Sequence, residues 1–162
     1  MKPKDFKERR ALQLWEEGQA YHLTGDIERA LDLYDQSLAV YPTAEAHTFR
    51  GWALSGQGRL DEAIAECLSA IDVDPSMGNP YNDIGSYLMT LEREDEAIVW
   101  LERAKEAQRY EARHFPCMNL GRIYATKGWS LRAIHEFEEA LEHLPGDPRC
   151  MAAIEKLRSQ IQ

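Results

Sequence analysis

Small and large apolar residues return along the chain at a spacing near 34. Gly18, Gly51, Gly85 and Gly121 are separated by 33, 34 and 36 residues. Three residues after each glycine stands Tyr21, Leu54, Leu88 or Tyr124, and twelve after it stands Ala30, Ala63, Ala97 or Ala133. Each alanine is followed at once by Leu31, Ile64, Ile98 or Ile134. Four residues on comes Tyr34, Cys67, Leu101 or Phe137, and seven on a small residue, Ser37, Ala70, Ala104 or Ala140. Fixed columns at this period predict stacked repeats. Within each unit the apolar positions fall three and four apart in two blocks, which predicts two helices. The break between them lies at Thr24-Gly25-Asp26, Gln57-Gly58-Arg59, Leu91-Glu92-Arg93 and Lys127-Gly128-Trp129. Glycine suits the left-handed end of a helix, and Asp26 can cap the helix after it. The third unit has to turn on Glu92 instead. Pro42, Pro75 and Pro145 close three of the units, because proline lacks the amide proton and pushes its predecessor out of helical space.

The small columns have a mechanical reason. Glycine and alanine let the two helices of a hairpin approach closely, and a bulky neighbouring column fills the space beside them. One hairpin cannot bury its apolar face, whereas four stacked hairpins can. After them, Pro145-Gly146-Asp147-Pro148 predicts a stop and then a new N-terminus. Met151, Ile154, Leu157 and Ile161 form a stripe that would cover the last open face of the stack. A helix that docks a partner is the alternative for this segment.

These columns resemble the tetratricopeptide repeat. The resemblance covers residues 11–145 and implies an all-α fold, a right-handed α-solenoid of four helix–turn–helix hairpins with a C-terminal capping helix. Residues 1–10 are a basic lead-in, units fall at 11–43, 44–77, 78–113 and 114–146, and the cap at 147–162. The sequence departs from the family pattern in three places. The early aromatic column reads Leu14, His47, Tyr81 and Cys117. The apolar position before the glycine holds Glu17 and Arg50, then Ile84 and Leu120, so the first two units are expected to pack differently. Unit three has Arg109 in place of its closing proline, which predicts a longer second helix over roughly 94–111. Trp129 opens the second helix of unit four, where it is either an exposed turn aromatic or, as favoured, a plug against the neighbouring unit.

Composition narrows the function classes. The chain has 162 residues, 44% hydrophobic and 29% charged, the profile of a globular domain. No apolar run reaches the roughly 18 residues of a membrane span, so no membrane insertion is expected. The charged start, without a secretory stretch, predicts a cytoplasmic protein. A net charge of −9 disfavours nucleic acid as a partner. Cys67, Cys117 and Cys150 have neither metal nor redox spacing, and three is an odd number, so no disulfide framework is expected. Cys67 and Cys117 occupy large-apolar columns and are expected to serve packing, while the role of Cys150 stays open. His22, His47, His114, His135 and His143 show no ligand spacing, so no metal is expected. No phosphate loop, dinucleotide fingerprint or nucleophile constellation is present, which predicts neither cofactor nor enzyme activity.

In the tetratricopeptide family the first helices line a concave groove that binds peptides. Carried over by the resemblance, the inward positions include Trp15, Gln19, Phe49, Trp52, Asn82, Asp83, Met89, Phe115, Met118, Asn119 and Arg122. The aromatic and methionine side chains would give an adaptable apolar lining. Asn82 and Asn119 would suit the amide backbone of an extended peptide. Relatives that clamp an acidic C-terminus use basic residues where this chain has Trp15, Gln19, Phe49, Asn79 and Asp83, so a terminal carboxylate is not the expected ligand. Arg122 is the one cation expected inside, paired with Asp83 or with an acid of the ligand. The expected function is a non-enzymatic scaffold that binds a protein or peptide partner. A dedicated secretion-type chaperone for an apolar client, or a self-assembling homo-oligomer, are the alternatives.

Overall fold

The computed structural model describes residues 3–161; Met1, Lys2 and Gln162 lie outside them, and with Lys2 part of the basic lead-in. The described residues form nine helices: α1 (Pro3–Leu23), α2 (Ile27–Val40), α3 (Ala44–Gly56), α4 (Leu60–Val73), α5 (Asn79–Thr90), α6 (Glu94–Glu106), α7 (His114–Thr126), α8 (Ser130–His143) and α9 (Pro148–Ile161). The described part of the lead-in is not a separate segment, because α1 runs through it. The hairpins are α1–α2, α3–α4, α5–α6 and α7–α8, with α9 against α8.

The repeating columns become the joints of these hairpins. The alanines Ala30, Ala63, Ala97 and Ala133 are fully buried, as are Ser37, Ala70, Ala104 and Ala140. A methyl group on Gly18 would stand 2.6 Å from the Tyr34 ring, on Gly85 2.5 Å from Leu101, and on Gly121 2.8 Å from Phe137. At these three positions the glycine admits the large residue four after the alanine, while at Gly51 the tightest neighbour is the Ala63 carbonyl oxygen at 3.0 Å. The turns close as expected. Asp26 accepts the amide of Arg29 at 3.2 Å, and Glu92 takes a left-handed φ of 58° where the other units use glycine.

Unit three corrects the expected long helix. α6 stops at Glu106, and the Arg113 guanidinium donates to the carbonyls of Lys105 and Ala107, covering its C-terminus. The freed chain forms a bridge with the unit before it: Gly78 N–H donates to Arg109 O at 3.0 Å and Arg109 N–H to Ser76 O at 2.9 Å. The Arg109 side chain also ties Asp74 at 2.6 Å and Glu45 at 3.2 Å. Tyr110 lies over Gly78, where even a Cβ would clash at 2.3 Å.

Two further expectations are corrected. The inward stripe of α9 is Cys150, Ile154 and Leu157, whereas Met151 and Ile161 point outward. Cys150 takes the inner place because Asp147 caps the helix through the amides of Arg149 and Cys150, which sets the helix rotation. Trp129 is a turn aromatic, 45% exposed, with Arg132 and Lys127 near its ring and Tyr124 beside it. Those ring and cation partners belong to its own unit, and Ile161 of the cap helix shares a shallow pocket with it.

Candidate functional site

The first helices touch one another along the stack, α1 on α3, α3 on α5 and α5 on α7, and the second helices form no such row. The solenoid therefore closes on the side of its first helices, and its inner wall is α1, α3, α5 and α7.

At the N-terminal end this wall is aromatic. Trp15 meets Phe49 edge to face at 5.4 Å, Phe49 meets Trp52 at 5.8 Å, and His22 lies 4.3 Å from Trp52. Spacing explains the row. Phe49 and Trp52 are three apart on α3, one helical turn, while Trp15 and His22 are seven apart on α1. Behind them Tyr34 is fully buried, 6.4 Å from Phe49, with its hydroxyl 3.2 Å from His22 Nδ1. Burial lowers the His22 pKa, which favours the neutral ring as acceptor for that hydroxyl, and burial pushes Tyr34 up to about 12. Trp52 is 47% exposed and forms the open end of the row.

Next to Trp52 the wall turns polar. A cavity of about 320 Å³ lies between α3 and α5, lined by Trp52, Ser55, Asn82, Asp83, Ser86 and Tyr87 among others. Asn119 Nδ2 donates to Asn82 Oδ1 at 3.1 Å, and Asp83 follows Asn82 on α5. Burial pushes the Asp83 carboxyl up to about 7, against the pull of the Asn82 amide. No ion pair holds it among the described residues, and Arg122 stands exposed without reaching it. The Tyr87 hydroxyl is buried with no hydrogen bond of normal geometry, although Ser55 lies beside it.

The structure thus joins Trp15, Phe49 and Trp52 in one row and puts Asn82 and Asp83 in one cavity, with Asn119 bonded to its rim. Gln19 and Met89 are half-buried. Phe115 is exposed but meets only His114 among the described rings, at 4.2 Å, away from the row. Met118 is 3% exposed and belongs to the core, since it points between units rather than along the wall. Reading columns also turns Ser55 and Ser86 inward, and both line the cavity, but it misses Tyr87. Tyr87 sits in a column that packing alone explains, so no signal in the chain marks its hydroxyl.

Matches to the tetratricopeptide repeat models cover residues 10–80, 79–110 and 116–142. This chain is a tetratricopeptide repeat protein. Over 75 residues it is 35% identical to the TPR repeat-containing thioredoxin TTL4 of Arabidopsis thaliana, matching 46% of this chain and 11% of that protein. The chain therefore spans about a tenth of the length of that relative. Over 127 residues it is 28% identical to the photosystem I assembly protein Ycf3 of Prochlorococcus marinus, matching 72% of this chain and 73% of that one. A solved structure of pilF from Pseudomonas aeruginosa superposes with a TM-score of 0.86 at 23% identity, covering 98% of this chain and 71% of that one. That likeness shows the fold. The family supports an interaction scaffold. No helix among the described residues is long and apolar enough to cross a membrane.

Proposed function

We propose that the inner wall holds an extended segment or amphipathic helix of a partner protein, without catalysis. The observation that carries this reading is Trp52, the exposed end of an aromatic row that borders a polar cavity. An aromatic anchor beside paired amides offers affinity and backbone recognition together. Asn119 and Asn82 spend one hydrogen bond on each other and keep further donors and acceptors for a peptide main chain. Asp83, without a cation of its own, selects a segment carrying a basic side chain near the anchor and rejects an acidic terminus. The three free buried thiols favour a cytoplasmic setting, and the acidic chain disfavours nucleic acid.

The test is a pull-down to isolate the partner, followed by titration calorimetry with Trp52→Ala combined with Asn119→Ala. Loss of a buried tryptophan anchor alone weakens such contacts by roughly 2 kcal/mol or more, about thirtyfold. Helicity should stay unchanged. Unchanged affinity would remove this groove from consideration. A second reading, self-assembly, draws on the outward Met151 of α9 and the cleft of about 840 Å³ beside it. Light scattering over a dilution series separates the two, since the first reading expects a constant monomer mass.

A further inference from the structure

The last hairpin brings a thiol from one helix beside a carboxylate and an imidazole from the other. Cys117 comes from α7, and Glu139 and His143 from α8; the ligand atoms of all three stand within 4.8 Å of one another. Three of the five histidines belong to this fourth unit, and only the antiparallel packing of α7 on α8 puts one of them beside a thiol. We propose that Cys117 Sγ, the Glu139 carboxylate and the His143 imidazole form a binding site for a zinc-type divalent cation that clamps α7 to α8.

Three independent features point to such an ion. The first is the donor set. A thiolate, an imidazole and a carboxylate suit zinc, whereas magnesium and calcium take oxygen alone. The second is spacing. Glu139 and His143 are four apart on one helix face, one turn from each other, and Cys117 meets them from the opposite helix. Around a tetrahedral zinc, ligand atoms sit roughly 3.3–3.7 Å apart, given bonds of about 2.0–2.3 Å. The present separations reach that with a shift of about 1 Å, within the freedom of the exposed His143 and half-buried Glu139.

The third is charge. Glu102, Glu136 and Glu139 all act on the Cys117 thiol, and Lys105 is the cation that opposes them. Lys105 Nζ is 2.9 Å from Glu136 and 2.8 Å from Glu139. Two carboxylates thus share one ammonium beside the thiol, a deficit of positive charge that a divalent ion would fill. Burial and these carboxylates raise the free thiol to about 12, so without an ion it stays protonated. On binding, the thiol releases its proton to water and the thiolate forms the metal–sulfur bond. Glu139 leaves Lys105 for the ion, and Lys105 keeps Glu136. Because His143 is exposed, water completes the fourth position from the solvent side.

The probes are Co2+ and Zn2+, added to the reduced, chelator-treated full chain. The expected result is one Co2+ per chain with a thiolate-to-cobalt charge-transfer band, bleached by Zn2+, and a higher melting temperature in Zn2+. C117S abolishes the band although Cys67 and Cys150 remain. H143A, at an exposed position that folding does not need, weakens binding by roughly tenfold or more. K105M removes the competitor of Glu139 and tightens binding, an opposite sign that a damaged fold would not produce. A colourless titration, or a band that survives both C117S and H143A, overturns the site; so does weaker binding in K105M. None of these outcomes bears on the groove.

Discussion

The two halves of the solenoid fill the same columns with different physics. Before the repeat glycine, the C-terminal half has Ile84 and Leu120, both buried in the continuous core that joins units two to four. The N-terminal half has Glu17, which is exposed, and Arg50, which binds Asp35 at 2.6 Å and Glu66 at 2.8 Å. The early aromatic column repeats the contrast. Cys117 is buried, while His47 pairs with Glu66 at 2.8 Å. Around Tyr34 a separate small core joins units one and two, with Ala30, Ala53, Trp15 and Phe49 in it. One of these ion pairs, Arg50 with Asp35, crosses the joint between units one and two, while those of Glu66 hold α3 to α4 inside unit two. Trp15, Tyr34 and Phe49 meet across the same joint, and the row they form ends on the inner wall at Trp52. A joint held by half-exposed charges is also weaker and more salt-sensitive than one held by buried aliphatics.

That contrast can be broken by exchanging residues. The largest effect is expected for Ile84→Arg, which carries the Arg50 type into the apolar half. A buried charge with no partner costs about 4 kcal/mol or more, so the urea midpoint should fall sharply or the chain unfold. The next is Asp83→Asn. The folded-state carboxyl titrates near 7 and the unfolded one near the ordinary 3.8, so the folded chain binds the extra proton between these values. Stability therefore falls as pH rises from about 4 to 7 and the penalty is complete above 7. Asp83→Asn should raise the melting temperature at pH 8, with the gain fading toward pH 4. A gain independent of pH would refute the buried-carboxylate account. The smallest is Arg50→Leu. The ion pairs lost are partly exposed and the column regains an apolar residue, so the cost should be at most about 1 kcal/mol, and the dependence of stability on salt should shrink. A loss as large as that of Ile84→Arg would show that the two halves are not built differently.

Much of this could be read along the chain. The glycine and alanine columns marked the hairpins, and Asp26 and Asp147 marked caps, because each acts through residues a few positions away. The columns also placed Trp15, Phe49 and Trp52 on first helices, where their rings meet, because the repeat assigns positions to helices. The miss at Met118 shows the limit: it shares a column position but faces a neighbour whose size the period does not encode. The segment 107–113 was also out of reach, because its shape depends on Gly78 and Ser76, some thirty residues earlier. For α9, periodicity gave the stripe Met151, Ile154, Leu157 and Ile161, and packing buried Cys150 in place of Met151 and Ile161.

The sequence by itself determined the repeat, its four hairpins, the turns and the capping segment, since these follow from local backbone preference and from spacing along one helix. Only the tertiary structure decided which side chains meet across helices: Asn119 with Asn82, Tyr110 over Gly78, and Cys117 with Glu139 and His143. Those meetings depend on helix rotation and offset, which are set by the volumes packed between the helices and leave no periodic trace in the chain.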